Sequence, residues 1–280
     1  MVLVAPRSAQ HEGQTEVLAL LRQGGDRRPR FDPGLAGGMR AWLEDAANLV
    51  VQARGEDAPA LHLGPRRLLA EEPRAHLAVD GRPEHGRMMA CLVHALFRQI
   101  VTTGTVEDPL SDALAALAVE ASFDQVVCQI DALSGTERRA LRASLAGHAN
   151  HLGTLIPALQ PGWWPRTDDR VAISLAGGRV VLHGRFDLLI GAPPPANAAS
   201  GTASLCAVGL TADGPWAEAR RTLHLLAMLE TLRSGTPPFR LALLHSGAGR
   251  YGVEDVLEEH LGAVVSHVAA RLAEVARAAL

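Results

Sequence analysis

The sequence predicts an α/β protein of the α+β kind, with a central mixed sheet of about four to five strands flanked by helices. Strand patterns surround one helix pattern between residues 170 and 246, and apolar residues recur at helical spacing between 36 and 153. With 280 residues, 48% of them hydrophobic, the chain can bury a large core. We therefore expect a single domain over 36–280, preceded by a mobile N-terminal segment with a short helix over 1–35.

The first half of the chain is predicted to be a helical part, over 36–153. The expected helices span 14–23, 36–53, 87–101, 110–120, 122–133 and 136–147. Met39 and Trp42 fall on the apolar stripe of the second helix and are expected in the core. His94 lies on the strongest helix pattern beside apolar neighbours, where a satisfied core histidine is the ordinary alternative to a ligand. Residues 61–69 fit a short strand and turn.

The second half is predicted to hold the sheet core, over 163–246. The strand patterns span 170–175, 179–190, 204–211 and 239–246, and a helix pattern spans 215–233. Trp163 and Trp164, between two prolines, are expected to pack a helix layer onto the first strand. The C-terminal helix is expected over 254–278, and its many apolar positions make it a candidate contact surface.

The basic residues are unusual because all 27 are arginine, so the chain is lysine-free. A GC-rich genome is the ordinary explanation for this composition. The absence of lysine also excludes reactions that need a lysine amine of this chain. The net charge is -3, whereas proteins that grip duplex nucleic acid usually carry a basic excess. A nucleic-acid surface would therefore have to be a local arginine patch. The clustered candidates are Arg27, Arg28, Arg30, Arg66 and Arg67.

Cysteine usage and hydropathy bound the remaining classes. Cys91, Cys128 and Cys206 are widely scattered, which argues against a disulfide framework, a zinc knuckle or an iron–sulfur cluster and favours buried small side chains. The sequence has neither a membrane-length apolar run nor a signal-peptide pattern. We therefore expect a cytoplasmic protein that does not act on membranes.

Asp187 is the first candidate functional residue. It lies within the apolar strand pattern 179–190, where a buried carboxylate is costly unless it is paired or bound to a cation. The alternative without a function is a partly exposed Asp at a strand end, or an Asp paired with Arg185 or Arg220.

Two motifs and the order of elements over 87–246 are similar to the RecB-type branch of the PD-(D/E)XK nuclease superfamily. Cys91-Leu-Val-His94-Ala-Leu-Phe97 resembles the first core helix of that branch, and His183-Gly-Arg-Phe-Asp187 resembles its GxxD strand. The resemblance implies a restriction-endonuclease-like core with a helical N-terminal insertion. It also implies that Asp187 is a metal-binding carboxylate and that His94 can join the metal site.

The next strand departs from the family pattern of an acid, one spacer and a lysine. Gly209 stands at the position of the acid and Thr211 at that of the lysine, and neither can replace the missing chemistry. Some family members move these groups to the following helix, and Asp213, Glu218 or Arg220 could be read that way. Of these, Glu218 and Arg220 join Asp187 as catalytic candidates. Arginine hardly deprotonates near neutral pH, so Arg220 would stabilise charge rather than act as a base.

These residues lead to two hypotheses. The first is a catalytically inactive nuclease-like protein that acts as a binding or scaffold module for a protein partner or nucleic acid, with no cofactor expected. The alternative is a DNA nuclease with a rearranged site of His94, Asp187 and Glu218, dependent on Mg²⁺ or Mn²⁺. A partner chain could also complete the site. A hydrolase unrelated to nucleic acid is disfavoured because GxSxG, HExxH and P-loop motifs are missing from the sequence.

Overall fold

A computed structural model describes residues 13–22, 30–55, 57–69, 83–119, 123–156, 158–159, 161–191 and 205–280. The fold is mixed α+β, with one mixed sheet flanked by helices, as predicted. The helices are α1 (Gly13–Arg22), α2 (Leu35–Arg54), α3 (Pro65–Leu68), α4 (Pro83–Thr103), α5 (Pro109–Ala118), α6 (Asp124–Asp131), α7 (Gly135–Leu155), α8 (Trp216–Ser234) and α9 (Glu258–Ala278). The strands are β1 (Leu61–Leu63), β2 (Arg166–Leu175), β3 (Val180–Ile190), β4 (Cys206–Thr211), β5 (Arg240–His245) and β6 (Arg250–Asp255).

Strand β3 is the centre of the sheet. It pairs antiparallel with β2 along one edge. Its other edge pairs with two strands, because β1 runs parallel to its first residues and β4 runs antiparallel to its last three. Beyond that contact β4 continues alongside β5 only, and β6 closes the sheet on the far side of β5. The separation of β3 from β4 begins next to Asp187, which places this residue at a fork in the sheet.

The sheet has six strands instead of the predicted four to five. The additional strand at the end is β6, which occupies residues predicted as a turn and as the start of the terminal helix. Helix α9 consequently begins at Glu258 and not at 254. Backbone pairing with β5 stabilises β6 although its side chains are only half-buried, so it lacks the apolar run of a central strand.

Two helices differ from their predicted extent or role. Helix α7 continues to Leu155 instead of ending at 147, because Leu152 and Leu155 are buried and this burial outweighs the weak helix propensity of Gly147 and Gly153. Its N-terminus is a capping box of Ser134 and Glu137.

The apolar side of α9 belongs to the core, whereas the sequence predicted it as a contact surface. Helices α2 and α9 pack together, and Val265, Val268 and Leu272 are fully buried. The predicted core residue Met39 is buried, whereas Trp42 on the same helix is half exposed. The packing of α9 therefore selects a narrower stripe of α2 than the apolar pattern indicates.

Other predicted core and surface positions have mixed outcomes. Trp163 packs against the core, but Trp164 is exposed. Cys206 is buried, whereas Cys91 is half-buried and Cys128 exposed, so the prediction of three buried thiols is wrong for two of them.

The N-terminal and loop predictions are only partly within the described residues. Within 1–35, helix α1 is present and packs on α7 and β6, with Val17 and Leu21 buried. Arg30, Arg66 and Arg67 are exposed, and Arg27 and Arg28 lie outside the described residues. Within the described ranges we find no helix with the length and hydropathy of a membrane span.

Candidate functional site

An ion pair between α4 and β3 lies at the fork in the sheet. His94 Nδ1 is 3.0 Å from Asp187 Oδ1, and the side chains are 26% and 15% exposed. The other oxygen, Oδ2, accepts a hydrogen bond of 2.7 Å from the backbone N–H of Leu210 on β4. Both oxygens of Asp187 are therefore engaged by protein groups. The ion-pair partner of Asp187 is thus His94, and not Arg185 or Arg220 as in the alternative drawn from the sequence.

The electrostatics of this pair favour its ionised form. Burial lowers the pKa of His94, but the charge of Asp187 and the hydrogen bond to it raise the pKa by more, so the net value lies above the ordinary 6.5. A protonated imidazole beside a carboxylate forms a charge-assisted hydrogen bond, which fixes both side chains.

A second ion pair lies one helical turn along α4. Arg98 donates to Oδ2 of Asp168 on β2, and Arg185 Nη1 on β3 lies 3.3 Å from Oδ1 of the same carboxylate. Asp168 has a backbone φ of 54°, in the left-handed region that Asp tolerates better than most residues. Each oxygen of Asp168 thus faces one guanidinium group. Sequence reasoning did not identify this pair; its only signal is the i, i+4 spacing of His94 and Arg98.

A cavity of about 350 Å³ opens between this site and α8. Three predicted site residues line it: His94, Asp187 and Glu218. Gly209 and Thr211, the two departures from the family pattern, also line it. A Cβ atom at position 209 would contact Leu223 and Leu243 at 3.4 Å, so this position faces apolar side chains. The floor of the cavity is therefore poorly suited to an additional carboxylate.

Close packing explains the glycine of the His183-Gly-Arg-Phe-Asp187 motif. A Cβ atom at Gly184 would lie 2.3 Å from Cδ2 of Leu226 on α8. A larger residue at this position would force the buried side chain of Leu226 to move. The motif thus combines a packing position with the carboxylate three residues later.

Arg220 has a different location from the other catalytic candidates. It is absent from the described cavity lining and binds Glu254 on β6, with Nε 3.0 Å from Oε1 and Nη2 2.5 Å from Oε2. His224 Nε2 lies 2.6 Å from Oε1 of the same carboxylate. Burial raises the pKa of Glu254, but the hydrogen bonds from His224 and Arg220 lower this pKa by more, so that the net value is about 2. These contacts join α8 to the edge strand.

A polar cluster of buried His148, buried Ser246 and exposed Asp213, which the sequence did not predict, lies where β4 and β5 end. His148 Nδ1 on α7 is 2.9 Å from Ser246 Oγ, and His148 Nε2 is 3.6 Å from Asp213 Oδ2. Burial lowers the pKa of His148, although Asp213 opposes this shift. Ser246 has no exposed surface, so its hydroxyl cannot reach a substrate. The serine, histidine and aspartate act here as a structural contact between α7 and the sheet.

The family resemblance implies a divalent cation at His94 and Asp187. In the present arrangement Nδ1 of His94 faces Asp187 as a hydrogen-bonding group, and a protonated nitrogen has no lone pair for a metal ion. The second carboxylate oxygen is held by Leu210. A Mg²⁺ or Mn²⁺ ion bound at Nδ1 of His94 would therefore have to displace the contact of this nitrogen with Asp187.

Comparison with known proteins adds no family to this description. No protein-family model matches the chain, and no curated protein matches it at a significant level.

Proposed function

We propose that this chain is a catalytically inactive PD-(D/E)XK nuclease-like protein that acts as a binding or scaffold module for a protein partner or nucleic acid. The order α4, β2, β3, β4, α8, β5 agrees with the element order on which the resemblance was based. The observation that carries the proposal is the state of Asp187, whose two oxygens are engaged by His94 and Leu210.

The chemistry of the surrounding residues supports an inactive site. Phosphodiester hydrolysis in this family needs a second acid and a cationic group that activates water and stabilises the developing charge. Gly209 and Thr211 occupy the corresponding strand and carry neither group. Arg220, the candidate for charge stabilisation, is committed to Glu254. Losing groups of this kind costs orders of magnitude each.

One observation favours the alternative of a metal-dependent DNA nuclease. Glu218 lines the same cavity as His94 and Asp187, so a second carboxylate is present near the first. For this function His94 would have to lose the proton that it shares with Asp187, and Asp187 would have to turn an oxygen toward the cation. Mg²⁺ or Mn²⁺ would then supply the Lewis acid.

Calorimetric titration of Mn²⁺ distinguishes the two functions. The titration uses the wild-type chain, Asp187→Asn and the surface control Asp131→Asn, and single- and double-stranded DNA are then assayed for Mn²⁺-dependent cleavage. We expect no stoichiometric binding and no cleavage. Stoichiometric binding and cleavage that vanish only in Asp187→Asn would establish the nuclease instead. Fluorescence anisotropy with labelled oligonucleotides at low salt then separates a nucleic-acid partner from a protein partner.

A further inference from the structure

The two sides of the β2–β3 ladder differ in what covers them. A Cβ atom at Gly184 would touch Leu226 of α8, so the side of β3 that Gly184 faces is covered by this helix. Its partner across the ladder, Val171, is buried on the same side. The alternate residues of both strands point to the opposite side, where α4 covers the end at Asp168 and Asp187.

The rest of this opposite side, which we call the open sheet face, is exposed to solvent. Its exposed residues, on β1, β2 and β3, are His62, Arg170, Ala172, Ser174, His183 and Arg185. Arg170 lies directly across the ladder from Arg185, and Ala172 lies across from His183. The ring of His62 lies beside that of His183, with centroids 6.3 Å apart. Two guanidinium groups and two imidazole rings thus share one sheet surface.

The charge of the open sheet face is positive. Like charges directly opposite each other in an antiparallel pair repel one another. Asp168 lies 3.3 Å from Arg185 and compensates this residue. Arg233 binds the backbone carbonyl of Arg170, but the guanidinium group of Arg170 has no hydrogen-bond or ion-pair partner among the described residues. None of the exposed residues of this face is acidic. An anionic ligand would therefore find a guanidinium group with its five N–H donors available.

Two of the arginines that the sequence singled out lie near one edge of this face. A Cβ atom at Gly64 would be 3.0 Å from Cε1 of His183, so the chain that leaves β1 passes against this imidazole. Arg66 and Arg67 follow on α3 and are exposed. They add basic residues within three positions of the contact with His183.

We propose that the open sheet face binds single-stranded nucleic acid, an inference that rests on the binding function proposed above and names its partner. Guanidinium groups hold phosphates, and unpaired bases stack on imidazole rings and guanidinium planes. The face offers both kinds of group side by side. A duplex hides the faces of its bases and is usually gripped by a larger basic excess than a net charge of -3 provides. An acidic protein segment would use the arginines but would gain nothing from the rings.

Fluorescence anisotropy with a labelled oligothymidylate of about 16 nucleotides, at low salt, measures the binding. A duplex of the same length and polyglutamate serve as competitors, and a labelled oligouridylate shows whether RNA or DNA binds more tightly. We expect saturable binding, with displacement by the duplex at higher concentration and little displacement by polyglutamate. Absence of saturable binding to both single strands would overturn the proposal, as would equally effective displacement by polyglutamate or tighter binding of the duplex.

Matched variants locate the binding on the open sheet face. Arg170→Gln should weaken the affinity about fivefold and lower the salt slope of the logarithm of the affinity by about 0.7, because one phosphate contact is lost. Arg139→Gln, on the exposed surface of α7, removes the same charge elsewhere and should change neither quantity. His183→Thr should also weaken binding, whereas His183→Phe should retain it because a stacking ring remains. Wild-type affinity in both Arg170→Gln and His183→Thr would disprove the site.

The face and the inactive nuclease-like function can fail separately. Arg170 and His183 are absent from the described lining of the cavity at Asp187, so their variants should leave the Mn²⁺ titration unchanged. Cleavage that depends on Mn²⁺ and on Asp187 would reject the inactive function, whatever the variants of the face do. A negative titration together with no binding of either single strand would reject the face and leave a protein as the partner.

Discussion

Asp168 lies directly across the β2–β3 ladder from Asp187. The flanking pairs, Thr167 with Leu188 and Asp169 with Phe186, fix this register. Like charges opposite each other in an antiparallel pair are destabilising unless they are compensated. Helix α4 compensates both from one side, because His94 meets Asp187 and Arg98 meets Asp168. The two carboxylates thus fix how α4 docks on the sheet.

Removing His94 should destabilise the protein because Asp187 would be left as a largely buried, unpaired carboxylate. We expect His94→Ala to lower the free energy of unfolding by about 2 kcal/mol, measured by urea denaturation. In a double-mutant cycle, Asp187→Asn should recover part of that loss, since the neutral amide needs no cation. A coupling energy near zero would show that the pair contributes nothing to stability.

The stabilisation by His94 should depend on pH. Its pKa is raised in the folded protein above the ordinary 6.5, so the folded state binds the proton more tightly than the unfolded state. The contribution is fully present below 6.5 and is lost as the pH rises through the folded pKa. The loss of stability on His94→Gln should therefore be larger near pH 6 than near pH 9, in urea titrations at both values. An equal loss at both would contradict the raised pKa.

His148 should show the opposite sign. Burial lowers its pKa below 6.5, so the unfolded state binds the proton more tightly and stability falls as the pH drops below 6.5 toward the folded pKa. His148→Gln keeps a side chain that can bond to Ser246 but cannot titrate. The variant should lose less stability than the wild type between about pH 7 and 5 in thermal unfolding. The same acid slope in both proteins would locate the titration elsewhere.

The packing at Gly184 is tested with a matched glycine. Gly184→Ala places a Cβ atom 2.3 Å from Leu226 and should cost about 1–3 kcal/mol of stability. Gly262→Ala on α9 has nothing within 4 Å of the new atom and should stabilise the helix by up to about 1 kcal/mol. Opposite signs are expected in chemical denaturation. Combining Gly184→Ala with Leu226→Ala should recover part of the loss, and no recovery would mean that Leu226 is not the obstacle.

Local patterns predicted the elements that bury apolar side chains. The central strand, predicted over 179–190, differs by one residue at its start, and helix 87–101 lies within α4. Patterns failed where backbone pairing stabilises polar sequence. Strand β2 begins at Arg166 instead of 170, because Arg166-Thr-Asp-Asp-Arg170 has no apolar alternation, although the ladder with β3 includes it.

At the candidate site, too, the sequence predicted residues with a local signal and missed those whose contacts form only between distant elements. Asp187 could be singled out because a carboxylate in an apolar strand is a local anomaly, and His94 followed from the motif on its helix. Asp168 and Glu254 could not be found, since each lies in a polar stretch and acquires partners only when distant elements dock. Arg220 illustrates the reverse case: its sequence position fits a catalytic role, but the neighbouring edge strand provides Glu254 as its partner.

The contact of Glu254 with Arg220 and His224 gives a prediction at acidic pH. The pKa of this carboxyl falls from 4.5 to about 2 in the folded protein, because its two cationic neighbours outweigh burial. A lowered acid pKa adds stability that is present above 4.5 and is lost as the pH falls toward 2. The shift corresponds to at most about 3 kcal/mol. Glu254→Gln should therefore be less stable than the wild type at neutral pH and should show a shallower decline between pH 4.5 and 2, by urea denaturation across that range.

The exposed Glu259→Gln on α9 is the control and should keep the wild-type slope. If Glu254→Gln retained full stability at neutral pH, the contact between α8 and β6 would contribute nothing to stability, and Arg220 would again be available as a catalytic candidate.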